Sequence, residues 1–241
     1  MPTQKQTLYT DLARYYDLIY SWKDYKKEAA TIQRLIVKYK RSKGNDLLEV
    51  ACGTGRHIQY LKGNFRVLGT DISAGMLGVA RKNIKGALFK RADMVTLNLG
   101  KEFDVITCLF SSIGYVKTYA DLKRTLQNFG RHLKKGGVVV IEPWLTKEVY
   151  KKGQPFMTTY GGDDIKIARL CVSKVRGSSS IMEMNYLVAE KNKAVKHFID
   201  RHELRMLEPQ RILEFMRQAG LRAKFIRNGF TDGRGLYIGV K

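Results

Sequence analysis

Through the first 145 residues, short apolar runs alternate with stretches whose apolar positions recur every third or fourth residue. The runs Asp46–Ala51, Phe65–Asp71, Ala87–Arg91, Phe103–Phe110 and Val138–Ile141 read as buried strands. Between them, Ser73 can cap a helix carrying Met76, Leu77, Val79 and Ala80. Residues His57–Lys62 make a shorter helix. Asp121–Leu133 makes a longer one, closed by Lys134-Lys-Gly-Gly137 with basic residues in its last turn and glycine beyond. The opening, Leu8 to about Lys40, also reads as helical. Ala29, Ile32, Leu35, Ile36 and Tyr39 share a face, and Asp24 with Glu28 lies near a plausible start. Strands alternating with helices at this spacing predict an α/β fold with a doubly wound, largely parallel sheet.

From Thr146 to Met206 the period changes to two. Ile165–Val172, Ile181–Val188 and Ala194–His202 alternate sides between Gly/Ser and Lys/Asn turns, which predicts an inserted antiparallel β meander. A helix over Pro209–Ala219 and strands at Ala223–Arg227 and Gly235–Val240 close the chain. The whole reads as one domain, 1–241. Its parts are an N-terminal helical lid (1–40), a ligand-binding core (41–145), the antiparallel insertion (146–206) and the closing helix and strands (207–241).

Composition narrows this picture modestly. With 241 residues, 44% of them hydrophobic, the chain can bury one core without disulfides or a structural metal. Cys52, Cys108 and Cys171 are too scattered for a disulfide framework or a zinc site. Cys52 and Cys108 lie in apolar stretches that suit inert thiols. No apolar run could span a membrane, and Met1-Pro-Thr-Gln-Lys-Gln6 lacks a signal-peptide core, so a soluble cytoplasmic protein is expected. The net charge of +22 is spread along the chain, with no basic arm. An anionic small molecule accounts for it as well as nucleic acid does, and nucleic acid stays the lesser alternative.

The informative segment is Leu47–Gly55, where a buried strand breaks at Gly53-Thr-Gly55 and opens a helix. Asp71 ends the next strand and suits the hydroxyls of a ribose. A dinucleotide fingerprint needs a third glycine at position 58, where this chain has Ile58. That bulk, with the acidic Glu49 before the turn, suits a cationic, phosphate-free ligand such as the methionyl part of S-adenosylmethionine. A glycine turn that binds nothing is the alternative. Ala92-Asp93-Met94 and Phe110-Ser111-Ser112, after the third and fourth strands, argue against it, because open sheets bind ligands at their strand C-termini.

Glu49–Gly55, Thr70–Met76, Ala92–Met94 and Lys135–Gly137 resemble the motifs of class I S-adenosylmethionine-dependent methyltransferases. Tyr16–Tyr20, Phe110–Tyr115, Val139–Trp144, His197–His202 and Gly233–Gly239 are similar to the TDP-amino-sugar N,N-dimethyltransferases of the desosamine and mycaminose type. The resemblance runs from about Tyr15 to Val240. It implies a Rossmann-like, seven-stranded sheet and a cofactor site of Tyr16, Tyr20, Glu49, Ala51, Gly53, Gly55, Asp71, Ile72, Met76, Asp93, Met94 and Phe110. It implies a substrate floor from the meander, with Tyr15, Trp144, Arg169 and Arg234 toward the acceptor. Arg169 and Arg234 are the residues expected to face a diphosphate, because a guanidinium fork pairs with phosphate bidentately. For Arg169 a solvated strand position is the alternative.

Some members of that family carry His where this chain has Tyr115, and there the His is proposed to handle the substrate amine. A tyrosine can hydrogen-bond an amine but is a poor base near neutrality. Tyr115 and His202 are the catalytic candidates; His57 and His132 are expected to be structural or at the surface. Methyl transfer from a sulfonium needs alignment and exclusion of water more than a base, so no triad and no metal is expected. The acceptor expected is a small molecule, an anionic nucleotide sugar foremost. RNA, another small amine or an acid are alternatives, and a homodimer is left open.

Overall fold

A computed structural model of the protein describes residues 7–9, 12–230 and 233–241. The opening Met1–Gln6, which bears on the leader expectation, lies outside the described residues. No helix among the described residues is long and apolar enough to cross a membrane.

The N-terminal segment is three pieces rather than one run: a 3-10 turn at Thr7–Tyr9, then α1 (Ala13–Ile19) and α2 (Tyr25–Tyr39). Asp24 separates the two helices and caps α2, its side chain accepting from the Lys27 N–H at 2.9 Å. The sheet then assembles from β1 (Asp46–Val50), β2 (Arg66–Asp71), β3 (Leu88–Arg91), β4 (Phe103–Cys108) and β5 (Leu133–Ile141), all parallel. Between them run α3 (Ile58–Leu61), α4 (Ala74–Asn83) and α5 (Tyr119–His132). Ser73 caps α4 as expected, accepting from the Met76 N–H at 3.1 Å.

After the second sheet come α6 (Pro209–Gln218), β10 (Arg222–Ile226) and β11 (Leu236–Val240). The described residues give a seven-stranded sheet in the order β10-β11-β5-β4-β1-β2-β3, with β11 antiparallel to both neighbours. The chain leaves β1 toward β2 and β3, then returns to the other side for β4 and β5. The β1/β4 junction is therefore the switch point where such sheets open a crevice.

Strand alternation divides the core in two. Leu48, Val50, Ile106, Val139 and Ile141 pack against α5 and α6, while Leu47, Val105, Val138 and Val140 pack against α2, α3 and α4. The expected close of α5 at Lys134–Gly137 is a correction. The helix turns into β5 without a loop at Leu133, and Lys134 is drawn onto Asp46 and Asp104 at 3.1 and 2.8 Å. Gly136, at φ +76°, lets its carbonyl meet the Arg41 and Ser42 N–H groups.

The insertion has four strands, not three: β6 (Pro155–Gly161), β7 (Ile165–Arg176), β8 (Ser179–Glu190) and β9 (Lys196–Arg205), paired antiparallel in that order. Its inner face, including Ile167, Met182, Met184, Tyr186 and Leu204, packs with Leu8, Tyr16, Ile19 and Met76 into a third cluster. Its outer face leaves Leu170, Val172, Leu187 and Ile199 exposed. The insertion thus roofs the strand ends of the first sheet, with the N-terminal helix between.

Candidate active site

The loop after β1 bends three times through left-handed backbone, at Ala51 (φ 54°), Gly53 (φ 56°) and Gly55 (φ 77°). The two glycines do different work. A Cβ on Gly55 would stand 2.7 Å from Ile84 Cδ1, so that glycine allows close packing against Ile84. A Cβ on Gly53 would meet only Met76 Cε, at 3.6 Å, so the space above it is open. Asp71, at the end of β2, accepts from the Gly53 N–H and the Ser73 N–H, each at 2.8 Å. Burial raises the Asp71 carboxyl above its usual range, and these backbone donors offset part of that rise. Thr54 donates to Asp17 of α1 at 2.6 Å, which ties the loop to that helix.

Glu49 lies on β1, 2% exposed, with Oε2 accepting no hydrogen bond among the described residues. Burial pushes its carboxyl up to about 7, partly countered by His57, whose Nδ1 is 3.8 Å from Oε1. His57 is buried and held from behind by Glu28 at 2.7 Å, and Glu28 also takes Lys23. The imidazole is structural, as expected. So is His132, which is buried between Asn128 and the Leu99 N–H.

Further along the edge, Asp93 is half-buried and accepts from the Val95 N–H at 2.9 Å, while Asn128 holds the Met94 and Val95 carbonyls. Ile72, beside Asp71, is 59% exposed. After β4, Phe110 and Ser111 both take left-handed backbone (φ 50° and 65°). Such strain concentrates where a surrounding structure enforces it. Here the Phe110 N–H donates to Glu142 Oε2 at 2.7 Å and Ser111 Oγ to the Pro143 carbonyl at 2.9 Å.

Aromatic rings line the space above. Tyr20 stacks obliquely on Tyr16 (centroids 4.7 Å) and meets Phe110 edge-on at 5.1 Å; Lys23 Nζ lies 4.6 Å from the Phe110 centroid. The Arg169 guanidinium lies 4.9 Å from the Tyr20 ring and that of Arg234 4.8 Å from Trp144. Arg169 is 3% exposed, which disposes of the solvated alternative. Its Nε and Nη1, and the Nε and Nη1 of Arg234, donate no hydrogen bond among the described residues; Arg234 Nη1 stands 3.6 Å from Glu142 Oε1.

On the opposite wall the Tyr115 hydroxyl bonds His202 Nδ1 at 2.7 Å and the Tyr9 hydroxyl at 2.8 Å. Burial holds the Tyr9 and Tyr115 hydroxyls well above their usual range, so they stay protonated and act as donors and acceptors rather than bases. The Tyr15 hydroxyl accepts from Arg14 at 2.6 Å and lies by Glu190, while its buried ring packs in the same cluster as Tyr16, Tyr115 and Trp144. Tyr9, Asp200 and Glu142 join the site beyond the residues expected from the sequence. Glu142 has a signal in its place in Glu-Pro-Trp directly after β5, and Asp200 in the His197–His202 motif; Tyr9 has none.

Residues 47–137 match the family model described as a methyltransferase domain. The chain is 36% identical over 233 residues to dTDP-3-amino-3,4,6-trideoxy-alpha-D-glucopyranose N,N-dimethyltransferase of Streptomyces venezuelae, covering 95% of this chain and 98% of that protein. Among solved structures it matches Streptomyces venezuelae DesVI with a TM-score of 0.90 at 35% identity, over 96% of this chain and 98% of the other. It also matches CalS10 of Micromonospora echinaspora, an amino pentose methyltransferase solved with S-adenosylmethionine bound, with a TM-score of 0.84 at 28% identity over 96% of each chain. The open Gly53 backbone, the unpartnered Glu49 oxygen and Asp71 at the loop fit that cofactor. The chain is a class I S-adenosylmethionine-dependent methyltransferase and belongs to the family of the TDP-amino-sugar N,N-dimethyltransferases.

Proposed function

We propose that this enzyme methylates the amine of a nucleotide-linked amino sugar. The observation that carries the proposal is the pair of guanidinium groups, Arg169 and Arg234, set against aromatic faces with N–H groups lacking acceptors among the described residues. Buried donors without partners are costly, and a diphosphate would satisfy several at once. The names of the relatives, which act on dTDP-linked amino sugars, support the same class.

Within this reading Glu49 takes the ammonium of the cofactor's methionyl group, Asp71 the ribose hydroxyls, and Asp93 with Met94 the adenine. Tyr16, Tyr20 and Phe110 exclude water over the reacting centre. S-adenosylmethionine, when bound, supplies a methyl on a cationic sulfur that leaves neutral. The chain's contribution is to hold the free amine in line with that methyl, and alignment of this kind can supply ~7–11 kcal/mol of the barrier. The meander forms the acceptor floor, and Arg169 and Arg234 fix the nucleotide end.

Thymidine diphosphate tests the anchor without chemistry. It should raise the melting temperature of the wild-type protein and not that of Arg234→Ala. An equal shift in both would remove Arg234 from the anion site.

A further inference from the structure

The inner face of β9 carries Asp200 and His202, 0% and 3% exposed. Asp200 pairs in register with Met184 and His202 with Met182; one step beyond Asp200, Phe198 stacks on Tyr186 at 4.7 Å. His202 Nε2 lies 3.0 Å from Asp200 Oδ2, but the ring N–H is not aligned on it. Neither Asp200 oxygen accepts a hydrogen bond from any described residue. The other His202 nitrogen is fixed by Tyr115, and Tyr115 by Tyr9. Asp200 also faces the tyrosines. Its charge adds to burial in holding the Tyr115 and Tyr186 hydroxyls protonated. A carboxylate wholly out of water with no aligned donor is costly unless a partner arrives. The titratable side chains facing it are His202, Tyr115 and Tyr186, with the Arg169 guanidinium beyond, paired in register with Tyr186.

A carboxylate can only accept, so the missing partner is a donor, and one that gains from a negative neighbour. An amine answers both requirements. Resting on the amino-sugar reading above, we propose that Asp200 recognises the acceptor nitrogen, one carboxylate oxygen taking an N–H of the free amine beside His202, whose ring is fixed by Tyr115 and Tyr9. The nitrogen lone pair stays free for the methyl. As the N–C bond forms and the methyl–sulfur bond breaks, the electron pair of that bond would leave on sulfur as neutral S-adenosylhomocysteine, the nitrogen keeps its hydrogens and becomes cationic, and Asp200 stands against the new charge. That interaction strengthens toward the transition state. The acceptor is thereby oriented by opposite charges, two guanidiniums at its nucleotide end and one carboxylate at its amine.

The test compares two ligands on two proteins by calorimetry, with S-adenosylhomocysteine present so that no turnover occurs. The ligands are a dTDP-linked amino sugar and its counterpart bearing hydroxyl in place of the amine. Wild type should bind the amino sugar about tenfold or more tightly than the hydroxyl sugar. Asp200→Asn should reduce that preference to about twofold or less while S-adenosylhomocysteine affinity is unchanged, which shows the fold intact. Asp200→Ser is read the same way in case the amide destabilises the buried site. A preference kept by either folded variant overturns the assignment. Binding of neither sugar to wild type overturns the substrate reading itself, and the assignment with it.

Discussion

The Tyr115 hydroxyl and His202 Nδ1, 87 residues apart in sequence, are joined by a 2.7 Å hydrogen bond between the 3-10 turn after β4 and the inner face of β9. This bond couples the cofactor half of the molecule to the inserted sheet. Tyr115→Phe keeps the ring and removes the bond, leaving the imidazole nitrogen unpartnered in a buried place. We expect a loss of about 1–3 kcal/mol of stability and a fall in kcat, with S-adenosylmethionine affinity unchanged. Thermal unfolding and titration calorimetry check both. A weakened cofactor site would contradict this separation.

Much of the cofactor half is legible from the sequence because its signals are local. Strand β1 ends at a glycine turn, Ser73 precedes α4, and Asp71 follows Gly53 at a spacing that proves to be a hydrogen bond. The acceptor half is not legible in that way. Alternation along β9 places His202 and Asp200 on one face but says nothing of what lies opposite, and Tyr9 reaches Tyr115 only through the tertiary fold. β6 carries little sequence signal because it opens on Pro155 and buries little, as an edge strand can. Gly136 and Gly137 resemble a helix stop, yet they are strand residues admitting the Arg41 turn.

With Glu49 in its proposed role, cofactor binding depends on pH. The Glu49 carboxyl, raised to about 7 by burial, is largely protonated below that value in the free enzyme, whereas a bound ammonium favours the charged form. Affinity for S-adenosylmethionine should therefore rise between pH 6 and pH 7, with proton release on binding. Glu49→Gln should bind at least tenfold more weakly and lose the slope. The sign for stability is opposite. A carboxyl raised on folding stabilises the fold below its unfolded value of about 4.3 and loses that contribution as pH rises through about 7. Free wild type should lose stability relative to Glu49→Gln across that window, which chemical denaturation at each pH would show.

Gly53→Ala separates backbone strain from ligand space. The new Cβ meets only Met76 Cε in the free protein, so folding loses about 1 kcal/mol for the left-handed backbone. Cofactor affinity should fall much further, by tenfold or more, because the methyl occupies the opening above the loop. Comparable losses in both, measured by denaturation and calorimetry, would mean that the cofactor does not approach Gly53.

Arg234→Ala should raise the KM for the nucleotide sugar at least tenfold and leave the Kd of S-adenosylmethionine unchanged. Arg234→Lys should restore only part of the loss, since an ammonium cannot reproduce the guanidinium fork. Steady-state kinetics over the three proteins would show it. Full recovery with lysine would argue for a simple charge effect.

The most direct test of the account is turnover. The protein is incubated with methyl-labelled S-adenosylmethionine and a panel of dTDP-linked amino sugars, their hydroxyl counterparts and tRNA, and the products are read by mass spectrometry. The predicted result is methyl on the nitrogen of at least one amino sugar and on none of the hydroxyl sugars. Label on tRNA alone, or on no acceptor in the panel, would contradict it.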